Sequence, residues 1–202
     1  MFVTFEGPEG AGKSTAIRGL SIALESQCHS VLVTREPGAG EFGQKIRALL
    51  LDQDEVVPEA ELLLFLADRA NHVENIIRPA LAAGTIVLCD RHADSSVVYQ
   101  GYARGVDIEF LKAGNSFATK GLKPHLTLLF DLDPVIGLKR IGDGRDNNRL
   151  DREPLEFHQK VRAGFLDLAS DEPERWVVLD ATRAPEALCS DALAEILNRL
   201  GR

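Results

Sequence analysis

The 202-residue sequence predicts an α/β fold, a three-layer α/β/α sandwich around a parallel sheet. Three observations point there. Short β-rich runs alternate with longer helical patterns, the order that βα units impose. Several of those runs, Ile-Val-Leu-Cys at 86–89 and Leu-Thr-Leu-Leu-Phe at 126–130 among them, are apolar nearly throughout, which suits strands covered by helices on both faces. The first run ends in a glycine-rich loop at 7–14, at the first strand-to-helix turn.

Residues 2–6 (FVTFE) form the first predicted strand, which stops at Gly7, and a helical pattern follows over 13–26. A second strand is predicted over 31–34 and a short helix over 41–51. A long helical stretch at 58–83 is opened by Pro58 at a first-turn position, kinked by Pro79 and closed by Gly84. The third strand, 86–90, turns abruptly from apolar to charged. Helical patterns cover 94–103 and 107–120, and the fourth strand covers 126–131. Asp133 and Pro134 cap a helix running to 140. A helix at 153–169, a fifth strand at 176–180 and a helix at 185–200 complete the pattern. Between them, 141–152 (IGDGRDNNRLDR) has too few apolar residues to pack and reads as a flexible surface excursion.

With 45% hydrophobic and 27% charged residues, the composition is that of a globular chain. A net charge of -8 argues against non-specific wrapping of nucleic acid, though anionic ligands stay open because the placement of positive charge decides them. No apolar run approaches the roughly 18 residues of a membrane span, and no secretory signal opens the chain. Cys28, Cys89 and Cys189 are widely spaced and read as buried apolar thiols of a cytoplasmic protein.

Gly7-Pro8-Glu9-Gly10-Ala11-Gly12-Lys13-Ser14 fits G-x-x-x-x-G-K-[ST]. Glycines let such a loop turn several backbone N–H groups onto one anion, and the helix that follows adds its N-terminal dipole. Lys13, projecting from a solvated loop, would reach the β- and γ-phosphates of a nucleoside triphosphate, and Ser14 would hold Mg²⁺, with Thr15 beside it. A regulatory GTPase would need D-x-x-G and N-K-x-D, and neither occurs. A motor ATPase would be larger, so a small phosphotransferase remains.

Charged residues follow the predicted strands: Arg35-Glu36-Pro37-Gly38 after the second and Asp90-Arg91-His92 after the third. Ligands of open α/β sheets bind outside the carboxyl ends of strands, so Arg35, Asp90 and Arg91 should ring the same crevice as the P-loop. Arg69, inside an apolar helical stretch, reads equally as a buried ion pair; beside the other arginines it reads as an anion binder.

These segments resemble the thymidylate kinase family, bacterial type with a basic lid. The resemblance rests on FEGPEGAGKST at 5–15, TREPG at 34–38, LLLFLADRANHV at 62–73, DRH at 90–92, DSSVVYQG at 94–101 and RLDRE at 149–153. It implies a single P-loop kinase domain over 1–202, a five-stranded parallel sheet and a mobile lid at about 141–153. It also implies ATP-dependent phosphorylation of dTMP to dTDP for dTTP synthesis, with ATP as donor and Mg²⁺ as cofactor. The partners implied are these small molecules and a second copy of the chain, with neither nucleic acid nor membrane. By resemblance Phe65 stacks on thymine, Arg69 hydrogen-bonds the base, and Ser96 and Gln100 read its edge. Tyr99 crowds the 2′-position, Glu9 accepts from the 3′-OH, Arg35 and Arg91 hold the acceptor phosphate, and Asp90 sits near Mg²⁺. The sequence departs from the family at Ala39-Gly40, where Gly-Thr is usual, in a longer lid, and at Phe165, where tyrosine is common.

The acceptor oxygen is already anionic, so no general base is needed and catalysis reduces to positioning and charge neutralisation. The variable P-loop positions, Pro8, Glu9, Gly10 and Ala11, carry no cation, so the lid must supply one beside Lys13. Arg149 is the first candidate and Arg145 the second, with Arg152 discounted because Asp151 and Glu153 flank it. A deoxynucleoside kinase, which needs a carboxylate base, and an inactive P-loop binding module are the alternatives.

Overall fold

The computed structural model describes residues 1–51, 56–142 and 149–201. Its strands are β1 (Phe2–Glu6), β2 (Val31–Arg35), β3 (Ile86–Asp90), β4 (Leu126–Asp131) and β5 (Trp176–Asp180). Among the described residues they form one sheet in the order β2-β3-β1-β4-β5, with every pairing parallel. The helices are α1 (Lys13–Ser26), α2 (Gly40–Leu51), α3 (Pro58–His72), α4 (Arg78–Ala82), α5 (Ala93–Ser96), α6 (Ile108–Thr119), α7 (Pro134–Gly142), α8 (Leu155–Asp171) and α9 (Pro185–Leu200).

β1 is buried along its whole length because it is central and covered twice. Val3 and Phe5 pack with Ile17, Leu20 and Leu24 of α1 and Leu188, Ala192 and Ile196 of α9. Phe2 packs on the other face with Val73, Ile77 and Val87. Farther along that face Tyr99 and Leu129 join Val161, Phe165 and Trp176. Thr4 and Thr127 satisfy each other inside the sheet at 2.9 Å.

Strand order reverses at β1, between β3 and β4, which opens a crevice at the carboxyl ends of the strands. The loop at 7–14, Arg35 and Asp90 all stand at that edge.

Two expected helices bend in ways that the pattern did not show. The 58–83 stretch continues through a π-turn, Val73–Ile77, before α4, and the Arg78 N–H bonds to Val73 O. Pro79 has no N–H and its ring collides with an ordinary upstream turn, so the wider turn falls just before it. The 94–103 helix passes from α5 into a second π-turn, Val97–Ala103, which carries Tyr99 and Gln100. The helix expected from 153 starts at Leu155, because Pro154 is extended and restricts Glu153 before it. Cys28 is exposed at a left-handed turn, φ 63°, not buried as expected. Residues 143–148 of the expected lid, Arg145 included, lie outside the described residues; Leu150–Arg152 form a 3₁₀ turn. Among the described residues no helix is long and apolar enough to cross a membrane.

Candidate active site

A cleft of about 580 Å³ runs along the sheet edge from the P-loop to α3 and the second π-turn. At one end the backbone makes the site. Gly7, Gly10 and Gly12 have φ of 135°, 70° and 89°. A Cβ on Gly10 would lie 2.2 Å from Gly137 O, so the loop is pressed against α7 where only glycine fits. Gly12 caps α1 with no side-chain acceptor, which leaves the first N–H groups of the helix to an anion.

Lys13 is not the solvated side chain expected. It is 7% exposed, and its Nζ donates to Gly7 O at 3.0 Å and Pro8 O at 2.8 Å. Burial, then Arg91, lower its pKa to about 8 against the pull of Asp90, Glu9 and Glu6. Ser14 Oγ donates to Asp90 Oδ2 at 2.9 Å. A hydroxyl and one carboxylate converging at the loop's lip are hard oxygen donors that suit Mg²⁺ bound chiefly through phosphates and water.

Arg91 has a left-handed backbone, φ 68°, and turns back from β3 toward the P-loop. Its guanidinium donates to Glu9 Oε1 at 2.9 Å and lies 5.1 Å from the Tyr99 ring centre. Tyr99 donates its hydroxyl to the same Glu9 oxygen at 2.5 Å. Burial raises the Glu9 pKa, but Arg91, His158, Lys13 and Tyr99 outweigh it and bring it to about 2. Glu9 Oε2 is buried without a hydrogen bond among the described residues, with His158 Nδ1 3.5 Å away.

Arg35, exposed at the end of β2, lines the cleft, as do Phe65, Ser96, Tyr99 and Gln100. Glu61, Phe65 and Arg69 stand one turn apart along α3, and Phe65 and Arg69 of this stripe line the cleft. Of the two readings of Arg69, the structure shows the ion pair: its Nε donates to Glu36 Oε2 at 2.8 Å in a buried site. Its other N–H groups go to Ser96 Oγ, Asn115 Oδ1 and His92 O. A guanidinium has five N–H donors, so one remains, on the side chain that lines the cleft.

Several residues that shape this end were not anticipated. Glu36 is the hub, taking the Nδ1 of His72 at 2.9 Å and of His92 at 2.8 Å besides Arg69. His72, His92 and Asn115 are far from Glu36 and from one another in sequence, and no spacing announces them. Glu61 is fully buried and accepts from Gln100 and Arg104. Arg140 of α7 lines the cleft and donates to Gly10 O at 3.3 Å and Ala181 O at 3.2 Å.

The structure does not bring Arg149 to the P-loop. Its guanidinium donates to Glu61 Oε2 and to Leu50 O, at the far end of the cleft. There it meets the buried carboxylate of Glu61 in a charge-assisted pair.

A family model of thymidylate kinase matches residues 5–192. The chain is 50% identical to the thymidylate kinase of Desulfovibrio desulfuricans, over 100% of this chain and 99% of that one. It is 46% identical to the thymidylate kinase of Deinococcus radiodurans, over 98% and 97%. The crystal structure of thymidylate kinase from Ehrlichia chaffeensis matches with a TM-score of 0.80 at 30% identity, covering 97% of this chain and 98% of that one.

Proposed function

The chain belongs to the thymidylate kinase family and phosphorylates dTMP to dTDP at the expense of ATP, and on that premise we propose how its residues divide the reaction. The P-loop, Gly7 to Thr15, holds the triphosphate through backbone N–H groups. Lys13 leaves the carbonyls of Gly7 and Pro8 for the β- and γ-phosphates. Ser14 and Asp90 would hold Mg²⁺, which would supply screening of the phosphate charge. Arg35 and Arg91 hold the phosphate of dTMP. Phe65 stacks on the base, Arg69 reaches it with its remaining N–H, and Ser96 and Gln100 border its edge.

The observation that carries this reading is the junction at Glu9. A P-loop carboxylate is bonded to the arginine after β3 and to the tyrosine of the π-turn, so donor and acceptor halves share one wall. Glu9 accepts from the sugar 3′-OH at this junction, its Oε2 lying buried 3.5 Å from His158 Nδ1, and Tyr99 closes the space a 2′-OH would need.

The 1–202 chain acts as one domain with the lid at 141–153 over the phosphates. The cation for the transferring phosphoryl comes from Arg149 or Arg145. Arg149 acts after leaving Glu61, whose charge stays compensated by Arg104. Arg145→Ala/Arg149→Ala should lower kcat by at least ~10³ with little change in dTMP KM. Near wild-type kcat would place that cation elsewhere, with Arg140 the next to substitute. Two copies of the chain pair through α3 and α6, where Leu63, Phe110 and Phe117 are exposed, Phe117 by 88%. Sedimentation equilibrium measures this.

ADP release with dTMP, dUMP, thymidine or no acceptor tests the reading. Loss of the base methyl should cost only about 1–3 kcal/mol, making dUMP a poor substrate. Thymidine should fail, because it leaves Arg35 and Arg91 without their anion. Thymidine turning over as fast as dTMP would favour a deoxynucleoside kinase.

A further inference from the structure

Glu61 lies behind the base-reading edge of the cleft and is not among the residues that line it. It is fully buried near the start of α3, one turn before Phe65. Its Oε1 accepts from Arg104 Nε at 3.2 Å and from Gln100 Nε2 at 2.7 Å, and its Oε2 accepts from Arg149. Arg104 is held from its other side by Glu153 at 2.8 Å.

An arginine only donates, so the oxygen it meets must be an acceptor. Glu61 Oε1 meets Arg104 and therefore offers Gln100 nothing but a lone pair. The amide of Gln100, itself 1% exposed, has to turn its nitrogen toward Glu61. What it has left for a ligand is Oε1 and one Nε2–H, an acceptor beside a donor. Thymine and uracil carry the complement, an N3–H beside a carbonyl oxygen. Cytosine carries an N3 lone pair beside an amino group and would set acceptor against acceptor and donor against donor. A Gln100 amide free to rotate would match either ring.

We infer that Glu61 is a specificity-positioning residue: by fixing the orientation of the Gln100 amide it makes the acceptor site select a pyrimidine with a protonated N3 and reject cytosine nucleotides. This rests on the reading that places the base against Phe65 and Gln100.

The test is the ratio of kcat/KM for dTMP to that for dCMP. Wild-type protein should show at least ~10³, since a mismatched buried polar pair is a strong discriminator. In Glu61→Ala no acceptor faces the amide at 100, which is free to turn, and the ratio should fall at least ~10-fold. Glu61→Asp keeps an acceptor-only group, so its ratio should stay within about threefold of wild type even if both rates drop. A merely structural Glu61 would lower both substrates together and leave the ratio unchanged in Glu61→Ala, which would overturn the inference. Should the variants not fold, competition on the wild-type protein decides: dCMP binding within about threefold of dTMP would overturn it, and dCMP excluded would support it. Failure of the wild-type protein to phosphorylate dTMP would instead remove the assignment of the base site.

Discussion

On the proposed division of the cleft, the donor end turns the backbone of residues 7–14 to the ligand, whereas the acceptor end turns side chains from β2, α3, β3 and a π-turn. The donor end is one continuous loop whose shape follows from glycines in left-handed conformations and from close contact with α7. The acceptor end is assembled across the fold and locked by two buried carboxylates, Glu36 around Arg69 and Glu61 around Gln100. A backbone site depends on a few positions and on one lysine. A side-chain site depends on every ion pair behind it, so damage there reaches stability as well as binding.

The largest difference should come from Glu36→Ala, which strands Arg69 in the core. Breaking a buried pair costs about 3–5 kcal/mol, read as a fall in the urea midpoint. Burial alone would raise the pKa of Glu36, but His92, Arg69 and His72 hold it well below the ordinary value of 4.5. Its stabilisation is therefore present above the ordinary carboxylate range and disappears as pH falls toward its lowered pKa. The gap between wild type and variant should narrow on acidification.

Next in size is Lys13→Ala, expected to lower kcat by about 10²–10³ or more with the fold retained, checked by circular dichroism and initial rates. Phe65→Ala should raise the KM for dTMP by the equivalent of about 1–3 kcal/mol of lost stacking, with the KM for ATP unchanged. Smallest is a pH effect confined to the donor end. Burial and Arg91 lower the pKa of Lys13 to about 8, and on the proposed reading its charged form is the one that meets phosphate. The KM for ATP should rise as pH climbs through about 8, while the KM for dTMP should not follow it.

This contrast also explains which parts of the molecule were legible in the sequence. The P-loop is contiguous, and each of its glycines and its lysine has a local reason to be there. Strands β1, β3 and β4 were equally plain, because central parallel strands are apolar runs with sharp ends. Arg35, Asp90 and Arg91 were found from their position just past strand ends. The hub around Glu36 was not, since His72, His92 and Asn115 meet it only through tertiary packing. Nothing local marks Glu61 as the partner of Gln100. The π-turns escaped notice because their hydrophobic pattern does not differ visibly from that of an α-helix over five to seven residues.

If the two ends are built separately, removing the donor end's lysine should leave the acceptor end able to bind. Calorimetric titration of dTMP into Lys13→Ala, with no ATP present, measures this directly. The result expected is a Kd for dTMP within about twofold of wild type, less than ~0.5 kcal/mol, alongside lost turnover. Loss of dTMP binding in a folded Lys13→Ala protein would contradict it and show that the P-loop lysine organises both ends of the cleft.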